Sequence, residues 1–260
     1  MYYRLRYVIL ILIVMISNIL SAEFNEKYTL RLWDFDGYKR FTINDRYEIS
    51  KEQKVFTITV GTMFLTSFFF DQAIRDFAQE EIYGGSNIFT EILYAAGNPD
   101  PLFYVFLTLY SVNVCWQNEY FHETMMLSLQ SILVTQGFTE GSKKSFKRAR
   151  PRNSPNDPFN FGVKGESFFS GHSSGAWAFF TVLATRHPET RWFSYPFAAC
   201  VSLSRIYEDA HWTSDILLGA LVGYTVGKWT AGLKMSYIEN INILPYVDGD
   251  GKYVLIQYKF

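Results

Sequence analysis

The chain has 260 residues, with 24 Lys and Arg against 25 Asp and Glu, so its formal net charge is −1. That balance lacks the basic excess on which nucleic-acid binding draws, so nucleic acid is excluded as the expected partner. The length allows a single domain with a sizeable core, and an aromatic content of 18% points to a large apolar interior, membrane contact, or both.

Residues 1–22 read as an export signal or an N-terminal anchor. Arg4 and Arg6 precede an uncharged stretch, 7–20, that ends in the small residues Ser21 and Ala22. Residues 23–50 form a β-like extension, in which alternating runs flank Asp36-Gly37, a hairpin signal. From Lys51 the pattern turns helical. Residues 55–70 are uncharged, 72–92 are amphipathic, and Asn98-Pro99-Asp100-Pro101 breaks the chain. Two more uncharged runs follow at 102–117 and 124–139. Each is short for a membrane span and suits either a membrane helix or the inner helix of a soluble bundle. Cys115 and Cys200 lie in apolar runs, as two buried thiols or one disulfide. The histidines His122, His172, His187 and His211 stand too far apart for a zinc spacing, so no metal is expected.

Next comes a basic segment, Lys143-Lys-Ser-Phe-Lys-Arg-Ala-Arg150-Pro151. Pro151 drives Arg150 out of helical geometry, and Lys143 lies two helical turns earlier, so the two cations can converge on one anion. Residues 152–167 read as a loop. Ser170-Gly171-His172 then opens the apolar run 173–185. Ser170 suits an N-cap, Gly171 permits close backbone approach, and free N–H groups at a helix start make an anion site beside His172. A short apolar helix, 192–204, delivers Arg205, whose planar fork can hold an oxyanion. If the chain is helical from about His211, then His211 and Asp215 are i and i+4 on one face. The carboxylate can then fix the imidazole tautomer and leave the other ring nitrogen free as base or nucleophile. Gly219, Gly223 and Gly227 recur every fourth residue, a stripe for close helix contact. Residues 234–260 return to a β pattern around Asp248-Gly-Asp-Gly251, a hairpin turn without the further ligands of a calcium loop.

Each block alone is also what a solvated basic run or a capped helix shows. Their order is far more specific: Lys143–x6–Arg150-Pro151, then Ser170-Gly171-His172, then Ser204-Arg205–x5–His211–x3–Asp215. This resembles the three-part signature of the type 2 phosphatidic acid phosphatases, whose superfamily includes class A acid phosphatases and vanadium haloperoxidases. One departure is Phe169, where the family usually has proline; the position shapes the loop and holds no phosphate. The resemblance implies an all-α bundle of about six main helices over 51–233, here with short β hairpins near both termini. It implies that Lys143, Arg150, Ser170, Gly171 and Arg205 bind phosphate. It also implies that His211 is the nucleophile, oriented by Asp215, and that His172 is the general acid and base. The expected reaction is metal-independent hydrolysis of a phosphomonoester through a phosphohistidine. Its substrate is a phosphorylated lipid or a small phosphomonoester.

The rival readings are a vanadate-dependent haloperoxidase, with vanadate as cofactor, and a non-catalytic envelope protein that keeps the fold. Three spans at 55–70, 101–117 and 124–139 would place Lys143 on the cytoplasmic side, against the expected export. The expectation is therefore an exported, periplasmic or cell-envelope phosphatase with membrane contact. The sequence leaves oligomeric state open.

Overall fold

The computed structural model describes residues 49–82, 88, 101–233, 241–248 and 251–258. The expected leader at 1–22 and the N-terminal hairpin lie outside the described residues. Seven α-helices run through the described chain: α1 (Lys51–Ser67), α2 (Asp71–Phe77), α3 (Pro101–Trp116), α4 (Glu119–Phe146), α5 (Gly171–Arg186), α6 (Arg191–Tyr207) and α7 (Thr213–Ala231). A π-helical turn, Ala78–Ile82, prolongs α2. Strands β1 (Ile241–Asp248) and β2 (Gly251–Tyr258) pair antiparallel, from Ile241↔Tyr258 to Asp248↔Gly251.

Caps fix the helix starts. Ser50 and Gln53 form a reciprocal capping box on α1, and the Asn118 side chain accepts from the Phe121 amide to start α4. Three boundaries differ from the sequence reading, each for a local reason. The third uncharged run is part of a 28-residue helix that continues through the charged Glu140 and Lys143, which pair with each other at 3.0 Å. That helix stops at Lys147, which is left-handed at φ 49° and ψ 44°, so Arg150 does not lie on a helix two turns beyond Lys143. And α7 begins at Thr213, so His211 precedes the helix rather than sharing its face with Asp215.

Helix α5 is the axis of the bundle, with neighbours α4, α6 and α7 around it. It is buried along most of its length, from Gly171 to Ala184, and its small and aromatic residues suit that all-round burial. Phe179 and Phe180 are fully buried against Met125 and Met126 of α4 and Ala198 and Val201 of α6. The polar residues of α5 are paired rather than stranded. Ser173 Oγ donates to the Ile216 carbonyl at 2.7 Å and meets Ser202 Oγ at 2.8 Å, while Ser174 Oγ meets Thr139 Oγ1 at 3.1 Å. Cys200, on α6, is a free thiol.

The glycine stripe lets α7 lie directly on α5. A Cβ at Gly219, Gly223 or Gly227 would stand 2.8, 2.2 or 2.8 Å from the carbonyl oxygen of Ser170, Ser174 or Ala178. This contact seats the start of α7 beside the start of α5, where the candidate site lies.

Helix α1 packs on α7 but turns most of its length outward. Val55, Ile58, Met63 and Leu65 are exposed, and Phe69 and Phe70 follow at the corner before α2. Among the described residues no single helix is long and apolar enough to cross a membrane; α1 with the segment Asp71–Ile82 meets that measure together, bent by 85°.

The helix contact predicts opposite outcomes for two glycines. Gly223→Ala is expected to lower unfolding free energy by about 3 kcal/mol or more, because a backbone carbonyl cannot swing aside. Gly137→Ala, in the interior of α4 with nothing within 4 Å of the added carbon, is expected to raise it by roughly 0.5–1 kcal/mol. Denaturant titration of both variants measures the difference.

Candidate active site

The start of α7 sits in a buried charged frame. Arg148 is fully buried between two fully buried carboxylates, with Nη2 2.8 Å from Asp71 Oδ2 and Nη1 2.6 Å from Asp215 Oδ1. Its remaining donors meet the Pro158 carbonyl, at 2.9 Å from Nε and 2.6 Å from Nη2, and Ser214 Oγ at 2.7 Å. Asp71 accepts from the Ser214 amide and hydroxyl at 2.8 and 2.6 Å, which ties α2 to the first turn of α7. Burial raises the Asp71 carboxyl above its ordinary value, against the lowering by Ser214 and Arg148. For Asp215 burial also acts to raise the carboxyl, but His211, Arg148 and Ser167 outweigh it and hold the group below the usual range.

Asp215 closes the N-terminus of α7. Its Oδ2 accepts from the Trp212 amide at 3.0 Å and makes a short hydrogen bond with the Ser167 hydroxyl. His211 Nδ1 lies 3.8 Å from that oxygen, beyond hydrogen-bond reach, and instead donates to the Ser167 carbonyl at 2.8 Å. Asp215 thus stays within ion-pair distance of the imidazole, while the hydrogen bond that fixes Nδ1 runs to the Ser167 carbonyl. Asp215 holds Ser167, and the Ser167 carbonyl fixes the imidazole. With Nδ1 protonated, Nε2 keeps its lone pair. Burial lowers the pKa of His211, against the opposing pull of Asp215, so the ring is held neutral.

The other motif residues gather around it. His172, on the first turn of α5, is exposed to the cleft yet surrounded by protein and cations. Desolvation first, then Arg205, His211, Lys143 and Arg150, lower its pKa to about 4. Arg205, in the last turn of α6, is buried and bonded to Glu208 at 3.2 Å. Gln79 in the π-helical turn donates to the Ile206 and Tyr207 carbonyls at 3.1 and 3.2 Å, capping that helix end. Lys143 reaches Glu140 at 3.0 Å, and Arg150 has extended backbone before Pro151. Lys143 and Arg150 line one cavity of about 650 Å³. Burial and the neighbouring Arg152 lower the Arg150 pKa.

Ser170 caps α5, as its place before the apolar run suggests. Ser170 is fully buried; its Oγ accepts from the Ser173 amide at 3.4 Å and its own amide donates to the Asp215 carbonyl at 3.1 Å. A Cβ on Gly171 would meet Gln136 Oε1 at 3.1 Å and Thr139 Cγ2 at 3.3 Å, so this glycine lets α4 pack closely.

Sequence reading missed Asp71, Arg148 and Ser167. Arg148 stood inside a run read only as basic. Past the left-handed Lys147, Arg148 turns into the protein and Arg150 into the cleft. Spacing gave no signal for this division, because residues two apart in extended backbone would share a face. Asp71 gave none either, because its partner lies 77 residues away. Among the described residues no three His, Cys, Asp or Glu side chains are grouped to hold a metal ion. The arrangement can offer one neutral imidazole nitrogen, a second imidazole beside it, and three cations, Lys143, Arg150 and Arg205, around the same space.

Comparison with known proteins agrees with this geometry. Residues 124–236 match the sequence model of the PAP2 superfamily. The lipid A 1-phosphatase of Porphyromonas gingivalis is 34% identical over 96 residues, which is 35% of this chain and 20% of that protein. The chain thus matches about a fifth of the length of that curated relative. A solved transmembrane PAP2 type phosphatidylglycerolphosphate phosphatase from Bacillus subtilis shares the fold. Its TM-score is 0.50 at 19% identity, over 67% of this chain and 94% of that one. The signature residues from Lys143 to Asp215 fall within the segment, 124–236, that matches the model of that superfamily.

Proposed function

We propose that the protein is a metal-independent phosphatase that hydrolyses phosphomonoesters, lipid phosphates foremost, through a phosphohistidine on His211. The observation that carries this reading is the His211 tautomer. Its Nδ1–H is committed to the Ser167 carbonyl at 2.8 Å, in a ring whose burial keeps it neutral. Nε2 therefore retains a lone pair for attack, and no prior deprotonation is needed.

In the first step Nε2 attacks phosphorus, the P–N bond forms, and the bond to the leaving alkoxide breaks. Protonated His172 gives that alkoxide its proton. In the second step neutral His172 takes a proton from water, whose oxygen attacks phosphorus as the P–N bond breaks. Phosphate leaves and His211 returns to its starting state. Lys143, Arg150, Arg205 and the amides of α5's first turn stabilise the charge on the phosphoryl oxygens, a task that a metal performs in other phosphoryl transfers. Burial and the surrounding cations both oppose protonation of His172. A bound dianion offsets those cations and raises its pKa, so the acid forms as substrate arrives.

The lipid preference rests on the surroundings. Phe64, Phe68, Phe146, Phe159, Phe161 and Phe168 form one aromatic cluster between α1, the end of α4 and the loop before α5. It covers Arg148, whose guanidinium lies 5.3 Å from the Phe68 ring and 5.1 Å from the Phe161 ring. Phe69, Phe70, Phe146 and Phe159 expose apolar surface beside it, as does α1. That surface suits contact with a lipid layer, and with it a cell-envelope location. Both of these relatives are phosphatases named for lipid substrates, lipid A and phosphatidylglycerolphosphate.

Two measurements test the reading. The full chain should release phosphate from short-chain phosphatidic acid and p-nitrophenyl phosphate in the presence of EDTA, and His211→Ala should lower turnover at least ~10³-fold. Near-normal turnover in that variant removes His211 as nucleophile. The second concerns protons. Sulfate does not titrate near pH 5.5, and its binding there should be accompanied by proton uptake as the His172 pKa rises from about 4. Calorimetry in buffers of different ionisation enthalpy reads this uptake, and His172→Gln should abolish it.

A further inference from the structure

Helix α2 reaches the site at more than Asp71. Arg75 holds the Asp209 carboxylate with two hydrogen bonds, Nε to Oδ1 and Nη2 to Oδ2, both at 2.8 Å. The two residues are 134 apart in sequence, and their side chains are only 18% and 16% exposed. This paired contact is the geometry in which an arginine holds a carboxylate most firmly. The remaining nitrogen, Nη1, meets the adjacent Asp76 at 3.3 Å. Neither Arg75 nor Asp209 binds phosphate or moves a proton in the mechanism above.

Asp209 is the residue at which the chain leaves α6. The Ala210 amide donates to the Arg205 carbonyl and the Asp209 amide to the Ile206 carbonyl, each at 3.0 Å. In this double closure the residue after the C-cap is left-handed, a position that favours glycine. Asp209 occupies it at φ 53°. Aspartate adopts that backbone less readily than glycine, so its presence there needs support from the surroundings, and Arg75 supplies it. Three segments of the site meet at this turn. Arg205 begins it, and the His211 amide also donates to the Arg205 carbonyl, at 3.3 Å. The Asp209 carbonyl accepts from the Arg152 amide at 3.2 Å, just past Arg150 and Pro151. Gln79 secures the same helix end from the π-helical turn that prolongs α2.

We infer that Arg75 is a positioning residue, which acts through Asp209 to set where His211 stands against Arg150 and Arg205. The inference rests on the phosphatase reading for what His211 does, and on the geometry alone for how the ring is held. Without the clamp the left-handed turn relaxes, and the Ser167 carbonyl no longer meets Nδ1 squarely. A misplacement of about 1 Å at a reacting atom is enough to lower turnover roughly 10²-fold.

The test uses the full chain with Arg75→Ala, with Asp209→Gly and with both. Asp209→Gly suits the left-handed backbone while removing the carboxylate, so it separates the clamp from the shape of the turn. With p-nitrophenyl phosphate, kcat is expected to fall at least ~10-fold in each single variant while KM changes less than ~3-fold. The double variant should be no slower than the slower single one, because both changes remove the same contact. A kcat within ~2-fold of the unaltered chain, a loss confined to KM, or losses that multiply in the double variant overturn the inference. The ring is also read without turnover. In protein with isotope-labelled histidine, the His211 nitrogen resonances, assigned with His211→Asn, should report the Nδ1–H tautomer in the unaltered chain and a mixture of tautomers in both single variants. An unchanged His211 signal in those variants overturns the inference whatever the kinetics. If the unaltered chain releases no phosphate, the phosphatase reading fails and the tautomer measurement still decides whether Arg75 positions the ring.

Discussion

Arg148 between Asp71 and Asp215 is the interaction on which the rest of the site depends. All three side chains are fully buried, and a buried ion is tolerated only when partners replace its hydration. Here Arg148 meets two carboxylates, a hydroxyl and a carbonyl, and Asp71 also receives the Ser214 amide. Losing one partner from such a set leaves an uncompensated buried charge, at a cost of about 3–5 kcal/mol. The network joins α2, the end of the basic segment, the loop through Pro158 and the start of α7. It therefore fixes the height of α7 against α5 independently of the glycine contact. Asp215 sits at the end of this chain and passes its position to Ser167, whose carbonyl sets the His211 ring.

Two opposed electrostatic regimes thus lie side by side. Behind His211 the charges are buried, paired and static. In front of it stand Lys143, Arg150 and Arg205, and among the described residues Glu140, Glu166, Glu208 and Asp215 act on them. Burial first, and then the cations in front, make His172 hard to protonate, and an anion that offsets those cations would ease its protonation. The paired charges behind allow no such change. Fixed donors aimed at developing charge need little rearrangement during reaction, which is the economy of a preorganised site.

The sequence carried the helical class and the three motif blocks, because both are local. Hydrophobic runs mark α4, α5 and α7, Ser170 marks the start of α5, and the glycines every fourth residue on α7 mark a packed face. What was not legible depends on contacts distant along the chain. The separation of His211 from the helix follows from Asp215 being used as a capping residue for Trp212, a use that the spacing of His211 and Asp215 does not reveal. The close packing of Gly171 against Gln136 and Thr139 of α4 was likewise not legible. Asp71 lies in a helix with no motif of its own, and only the folded chain brings it to Arg148. The N-terminal segments fall outside the described residues, so their reading stands on sequence alone.

The most direct measurement is to trap the phosphorylated protein. The full chain is mixed with short-chain phosphatidic acid carrying radiolabelled phosphate, quenched in alkali within a turnover, and mapped by peptide mass spectrometry. Phosphohistidine survives alkali and is lost in acid, so the quench itself discriminates. The account predicts acid-labile label on the peptide containing His211, transient in time and absent from His211→Ala. Label on a serine or on another histidine, with turnover intact, would contradict it.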